Sequence, residues 1–149
     1  MQKITLILAS LVVSGFSMAT QADQMRLNDI NTDNCGRAQH EVRLLQTRSV
    51  RVDADCSAYV YRGYRSAAGR YYNYRLYTTI AAPDLRPGVR VKLNDIDTDN
   101  CVWARSEVSL LNTRSARISA VCSPYVYRGY RSDNGRYYNY RLYTTLSVR

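Results

Sequence analysis

Two runs in the chain alternate between apolar and polar positions, the second broken only at Val121. Val50, Val52, Ala54 and Cys56 alternate with Arg51, Asp53 and Asp55, and further on Ala116, Ile118, Ala120 and Cys122 alternate with Arg117, Ser119 and Val121. A period of two sends successive side chains to opposite faces of a strand, so each run predicts a half-buried β-strand. Just before the first run, Val42 and Leu44 alternate with Glu41 and Arg43, which predicts another strand, with Q-T-R-S as the intervening turn and N-T-R-S at the matching place further on. No stretch offers a convincing helical stripe. A different pattern opens the chain: after Lys3, Ile4 to Val13 is apolar without a periodic polar face, and small residues end at Ala19 and Ala22. The run is too short to span a bilayer and reads as a secretory signal peptide over residues 1–22, with no membrane-spanning candidate after it.

The most distinctive stretch occurs twice. Residues 59–79 read YVYRGYRSAAGRYYNYRLYTT and residues 125–145 read YVYRGYRSDNGRYYNYRLYTT, agreeing at 19 of 21 positions and holding all 14 tyrosines. Tyrosine and valine suit a pleated surface, and S-A-A-G or S-D-N-G is turn composition, so each copy predicts a β-hairpin. A three-residue loop with Gly69 or Gly135 in a left-handed position suits both copies, because Ala68 resists the positive φ that a two-residue type I′ turn demands. That register sets Arg62 against Tyr74, Arg65 against Tyr71 and Tyr61 against Arg75. A two-residue loop would instead oppose Arg62 and Arg75, like charges in direct contact. By parity, Val60, Arg62, Tyr64, Tyr72, Tyr74 and Leu76 face inward. The outward face carries Tyr59, Tyr61, Arg65, Tyr71, Asn73, Arg75 and Tyr77, and again Tyr125, Tyr127, Arg131, Tyr137, Asn139, Arg141 and Tyr143.

The hairpins belong to a longer duplication. Residues 25–80 and 91–146 align without a gap at an offset of 66, with 39 of 56 positions identical. Two copies are too few for an open solenoid, so they form either two small modules or one body folded about a pseudo-two-fold axis. Between them residues 81–90, with Pro83, Pro87 and Gly88, read as a short stiff linker. Each copy has two cysteines, Cys35 with Cys56 and Cys101 with Cys122. Four cysteines allow three pairings; a duplicated unit most simply closes its own pair, as an exported chain would favour. A repeat this short buries little core, which makes such a staple useful. The expected fold is therefore all-β: two tandem small antiparallel modules of about four strands each, two hairpins in succession, with one disulfide per module.

Composition narrows the chemistry. The formal charge is +9, and every basic residue except Lys3 and Lys92 is arginine. Arginine makes planar bidentate contacts to carboxylate, sulfate and phosphate, so an acidic polysaccharide or another anionic surface is the expected partner. The candidate binding residues are Tyr61, Arg65, Tyr71, Asn73 and Arg75 with their equivalents Tyr127, Arg131, Tyr137, Asn139 and Arg141. The plainer role for the same residues is cross-strand stacking that only stabilises the sheets. Asp29, Asn31 and Asp33, like Asp95, Asp97 and Asp99, alternate as the first ligands of a calcium loop do. Position 6 is Asn34 or Asn100 instead of glycine, and position 12 is His40 or Ser106 instead of glutamate. Asx turns leading into a strand are the expected role, with no metal or other cofactor required.

Catalysis finds no motif: His40 is the one histidine, it becomes Ser106 in the second copy, and the cysteines are expected to be oxidised. The expectation is thus a secreted or periplasmic, non-enzymatic binding protein presenting two Tyr/Arg surfaces to an anionic glycan or other acidic component. A protein-directed inhibitor or immunity-type factor and a self-assembling surface or matrix protein are the alternatives.

Overall fold

The strand that returns from each tyrosine hairpin is the centre of a four-stranded antiparallel sheet. In the first copy β1 (Asp23–Arg26), β2 (Ile30–Thr32) and β3 (Arg51–Arg65) all pair with β4 (Tyr71–Ala82). In the second, β5 (Arg90–Lys92), β6 (Ile96–Thr98) and β7 (Ala116–Arg131) all pair with β8 (Tyr137–Val148). The registers put β3 along one whole edge of β4, while β1 and β2 follow one another along the other edge. This computed structural model describes residues 22–65, 71–131 and 137–149, apart from the side chains of 60–65, 71, 126–131 and 137. The expected signal peptide up to residue 21 and the turn of each hairpin lie outside the described residues.

The fold is all-β, but two of its strands are not those the alternation predicted. Residues 50–56 do not end a strand; they run on into the tyrosine segment as β3, and the sheet's other two strands are the short β1 and β2. The predicted strand around Val42 and Leu44 is instead a helix, α1 (Cys35–Arg43), repeated as α2 (Cys101–Ser109). Asn34 and Asn100 are extended N-caps whose side chains accept from the backbone N–H of Arg37 and Trp103 at 3.1 Å. Such a cap satisfies one of the donors that a helix start leaves open. Cys35, Ala38, Val42 and Leu45 then fall on one side at helical spacing. Leu45 is 2% exposed, while Leu44, which a strand would have buried with Val42, is 39% exposed. The acidic loop therefore leads into a helix and not into a strand.

Alternation is correct for the strand that follows. Val50, Val52 and Ala54 are at most 1% exposed, and Ala116 and Ile118 repeat the pattern. The disulfides join Cys35 to Cys56 and Cys101 to Cys122, so each ties the first residue of a helix to the long strand beside it. Leu76, Ile80, Leu142 and Leu146 on the two central strands lie fully buried beneath the helices.

One hydrophobic cluster contains buried residues of both copies. The copies also exchange hydrogen bonds. Asn28 N–H donates to the Leu111 carbonyl at 3.0 Å and its side chain donates to Leu110 O at 3.0 Å. Asn94 does the same to Leu45 O at 3.1 Å and Leu44 O at 2.9 Å. Each asparagine thus satisfies carbonyls at the C-terminus of the other copy's helix, and the roles exchange as a two-fold relation requires. The stretch expected as linker is tied down as well. Leu85 is buried, its N–H donates to Asp23 at 2.9 Å, and Gly88, with φ of 95°, donates to Val148 O at 2.8 Å. That positive φ is where glycine is needed.

Candidate functional site

The candidate surface is the side of each sheet turned away from its helix. Leu76, Thr78 and Ile80 of β4 point inward, so Asn73, Arg75 and Tyr77 belong to the outer side. Arg75 lies opposite Ser57 on β3 and Asn31 on β2. Its guanidinium stacks on the Tyr59 ring at 3.8 Å from the centroid, and its Nε donates to Asn31 Oδ1 at 3.0 Å. In the second copy Arg141 stacks on Tyr125 at 3.8 Å and donates from Nε to Asp97 Oδ1 at 2.8 Å. The same cluster is therefore built twice, with one difference that matters electrically. Asp97 forms an ion pair with Arg141 and pushes its pKa further above the ordinary value, chiefly through that hydrogen bond. Asn31 orients Arg75 equally well but carries no charge.

The hairpin register differs from the expected one and explains these neighbours. Ser57, not Tyr61, stands opposite Arg75; Ala58, not Arg62, stands opposite Tyr74; and Tyr61 stands opposite Tyr72. Only Arg65 opposite Tyr71, next to the turn, is as expected. The second copy repeats this, with Ser123 opposite Arg141, Tyr127 opposite Tyr138 and Arg131 opposite Tyr137. Because β3 is continuous, its register is set at the buried base, where Val52, Ala54 and Cys56 oppose Ile80, Thr78 and Leu76. The mismatch with the turn is absorbed by register shifts between Ala58 and Tyr61 and between Tyr61 and Arg65. Tyr74 and Tyr140, expected to face inward, are 39% and 38% exposed, because the buried row ends at Leu76 and Leu142.

Of the candidate residues, Asn73 and Asn139 are exposed beside the two arginines. Tyr61, Arg65, Tyr71, Tyr127, Arg131 and Tyr137 are placed by backbone register alone, their side chains being outside the described residues. Residues that the sequence reading left out of the site hold its best-defined geometry: Tyr59, Tyr125, Asn31 and Asp97. The signal for the last two was the alternation L-N-D-I-N/D-T, whose last three residues form β2 and β6. Its neighbouring acids also have basic partners. Asp29 pairs with Arg26 at 2.9 Å and Asp95 with Lys92 at 2.5 Å. Arg26 lies 5.7 Å from the Tyr77 ring and Lys92 5.5 Å from Tyr143, extending the line of cations over phenols in both copies. Compared with protein-family models, curated proteins and solved structures, the chain finds no match in any of the three.

Proposed function

We propose that this is a non-enzymatic binding protein of an oxidising compartment outside the cytoplasm, holding an anionic glycan or similar acidic component against the Tyr/Arg faces of its sheets. The observation that carries the reading is Arg75. Its guanidinium is laid flat on Tyr59 and aimed by Asn31, and among the described residues it makes no ion pair. The nearest acid along β3, Asp55, stands two pairs along, opposite Tyr77. A guanidinium fixed this way loses little freedom on meeting a carboxylate or sulfate, which is where preorganisation adds affinity. Aromatic rings beside it offer a flat apolar surface to a sugar ring. Two intact disulfides suit an oxidising compartment. Among the described residues no helix is long and apolar enough to cross a membrane.

The copies should not contribute equally, because Asp97 neutralises Arg141. Binding to an acidic polysaccharide such as polygalacturonate, followed by calorimetry over a salt series, tests this. Arg75→Ala should weaken binding by about tenfold and flatten its salt dependence, and Arg141→Ala should do less. Asp97→Asn should tighten binding, since it gives the second copy the neutral partner of the first. A folded Arg75→Ala, Arg141→Ala double variant that binds as the parent does would leave the clusters a purely structural role.

A further inference from the structure

The free edge of the long strand is closed in the first copy and open in the second. On β3, Gln46 accepts from Val52 N–H at 3.0 Å, and Gln39 of α1 donates to the Ala54 carbonyl at 2.8 Å. On β7, Asn112 accepts from Ile118 N–H at 2.6 Å, but Arg105 replaces Gln39, and among the described residues no side chain closes the Ala120 carbonyl. Backbone groups of successive residues point to opposite sides of a strand, so those of alternate residues share a side. Since Ile118 N–H meets Asn112 and not β8, Ala120 and Cys122 also present their N–H and C=O to the free edge. Pro124, which has no N–H, ends this window. Free edges are normally guarded, and here guards stand at both ends with a gap between them.

A groove of about 410 Å³ runs along the gap, between α2 and β7, with Val102, Arg105, Ser106, Arg117 and Ala120 in its lining. Several changes from the first copy suit an incoming chain, although Ser109 stands where the first copy has Arg43. Val102, 78% exposed, replaces Gly36, and Trp103 beside it, 50% exposed, replaces Arg37. Arg51 pairs with Asp53 at 3.3 Å, whereas its counterpart Arg117 faces Ser119 in that place and, like Arg105, makes no ion pair among the described residues. We propose that this window binds an extended acidic segment of another protein, added as a strand antiparallel to β7. Ala120 would exchange both backbone hydrogen bonds with it, carboxylates would meet Arg105 and Arg117, and an apolar side chain would rest on Val102. A second copy of this chain is a poorer occupant, because it would bring both pairs of arginines together in a protein of charge +9.

The surface is separate from the Arg75 cluster, so the two readings fail independently. The probe is a fluorescent heptapeptide of alternating glutamate and valine, titrated by anisotropy against the purified protein, with amide exchange of Ala120 followed by NMR. The expected result is saturable binding tighter than about 1 mM, protection of the Ala120 amide, and loss of binding when the central residue of the peptide is proline. Arg105→Gln, which restores the side chain that the first copy folds with, should weaken binding by about tenfold. No binding, or binding indifferent to the central proline and to Arg105→Gln, would overturn the proposal. So would protection of Ala120 that grows with protein concentration in the absence of peptide, which would show self-pairing.

Discussion

Asn28 and Asn94 show how much one side chain can decide. Each sits just after a short strand and reaches across to the helix end of the other copy, where carbonyls have no partner within the helix. These bonds are partly exposed, so each is worth about 1 kcal/mol and not the full cost of a buried orphan. Asn94→Ala and Asn28→Ala should each lower stability to urea by roughly that amount. Near-equal losses are the signature of the reciprocal arrangement. A loss in one variant only would mean that one crossing bond is idle. The Arg75 and Arg141 clusters differ in kind, since stacking on a half-buried surface tyrosine contributes on the order of 1 kcal/mol. Their removal should leave a folded protein, which makes binding a clean readout there.

At the scale of elements, α2 and the segment between the two sheets each carry a pH dependence, of opposite sign. Partial burial of Glu107 on α2, helped by repulsion from Glu41 on α1 and opposed by Arg37, raises its pKa above the ordinary 4.5. The folded chain then holds this proton to higher pH than the unfolded chain. Stability is greatest with Glu107 protonated and declines as pH rises from about 4.5 through the raised value. Asp84 has the opposite sign: the hydrogen bonds from Arg86 lower its pKa from 3.8 to about 2, so its contribution is present above 3.8 and fades as pH falls toward that lower value. Comparing Glu107→Gln with the parent isolates the first effect. The variant should be the more stable at pH 7, and the gain should vanish by about pH 4. A gain that persists at pH 4 would assign it to packing and not to charge.

At the scale of the whole molecule, the question is whether either half can fold alone. Each half has its own sheet, helix and disulfide, yet the cluster of buried residues is shared and each helix end is capped from the other side. A domain of some 60 residues is marginal even with a complete core. Residues 22–83 and 84–149 produced separately should lack a cooperative thermal transition and regain one when mixed, as near-UV circular dichroism would report. Two independently cooperative halves would make the shared cluster incidental. The whole chain should unfold in one transition.

What the sequence determined by itself is local or repeated. Period-two burial from Val50 to Cys56, the hairpin and the duplication are properties of neighbouring residues or of an exact offset, whereas the duplication only favoured pairing each copy's own cysteines and the structure chose it among three pairings. The helix was legible in principle, through Asn34 and the spacing of Cys35, Ala38, Val42 and Leu45. Two of those four are small, however, and the stripe is one residue wide, so Val42 and Leu44 suggested a strand more strongly. The cross-strand partners of Arg75 could not be read at all. They depend on register, and register is set some distance away, where Leu76 and Ile80 must be buried against Cys56 and Val52. Only tertiary structure could place Asn31 and Asp97 beside the two arginines and leave the edge of β7 open, because both results come from strands and a helix that meet across dozens of residues of chain.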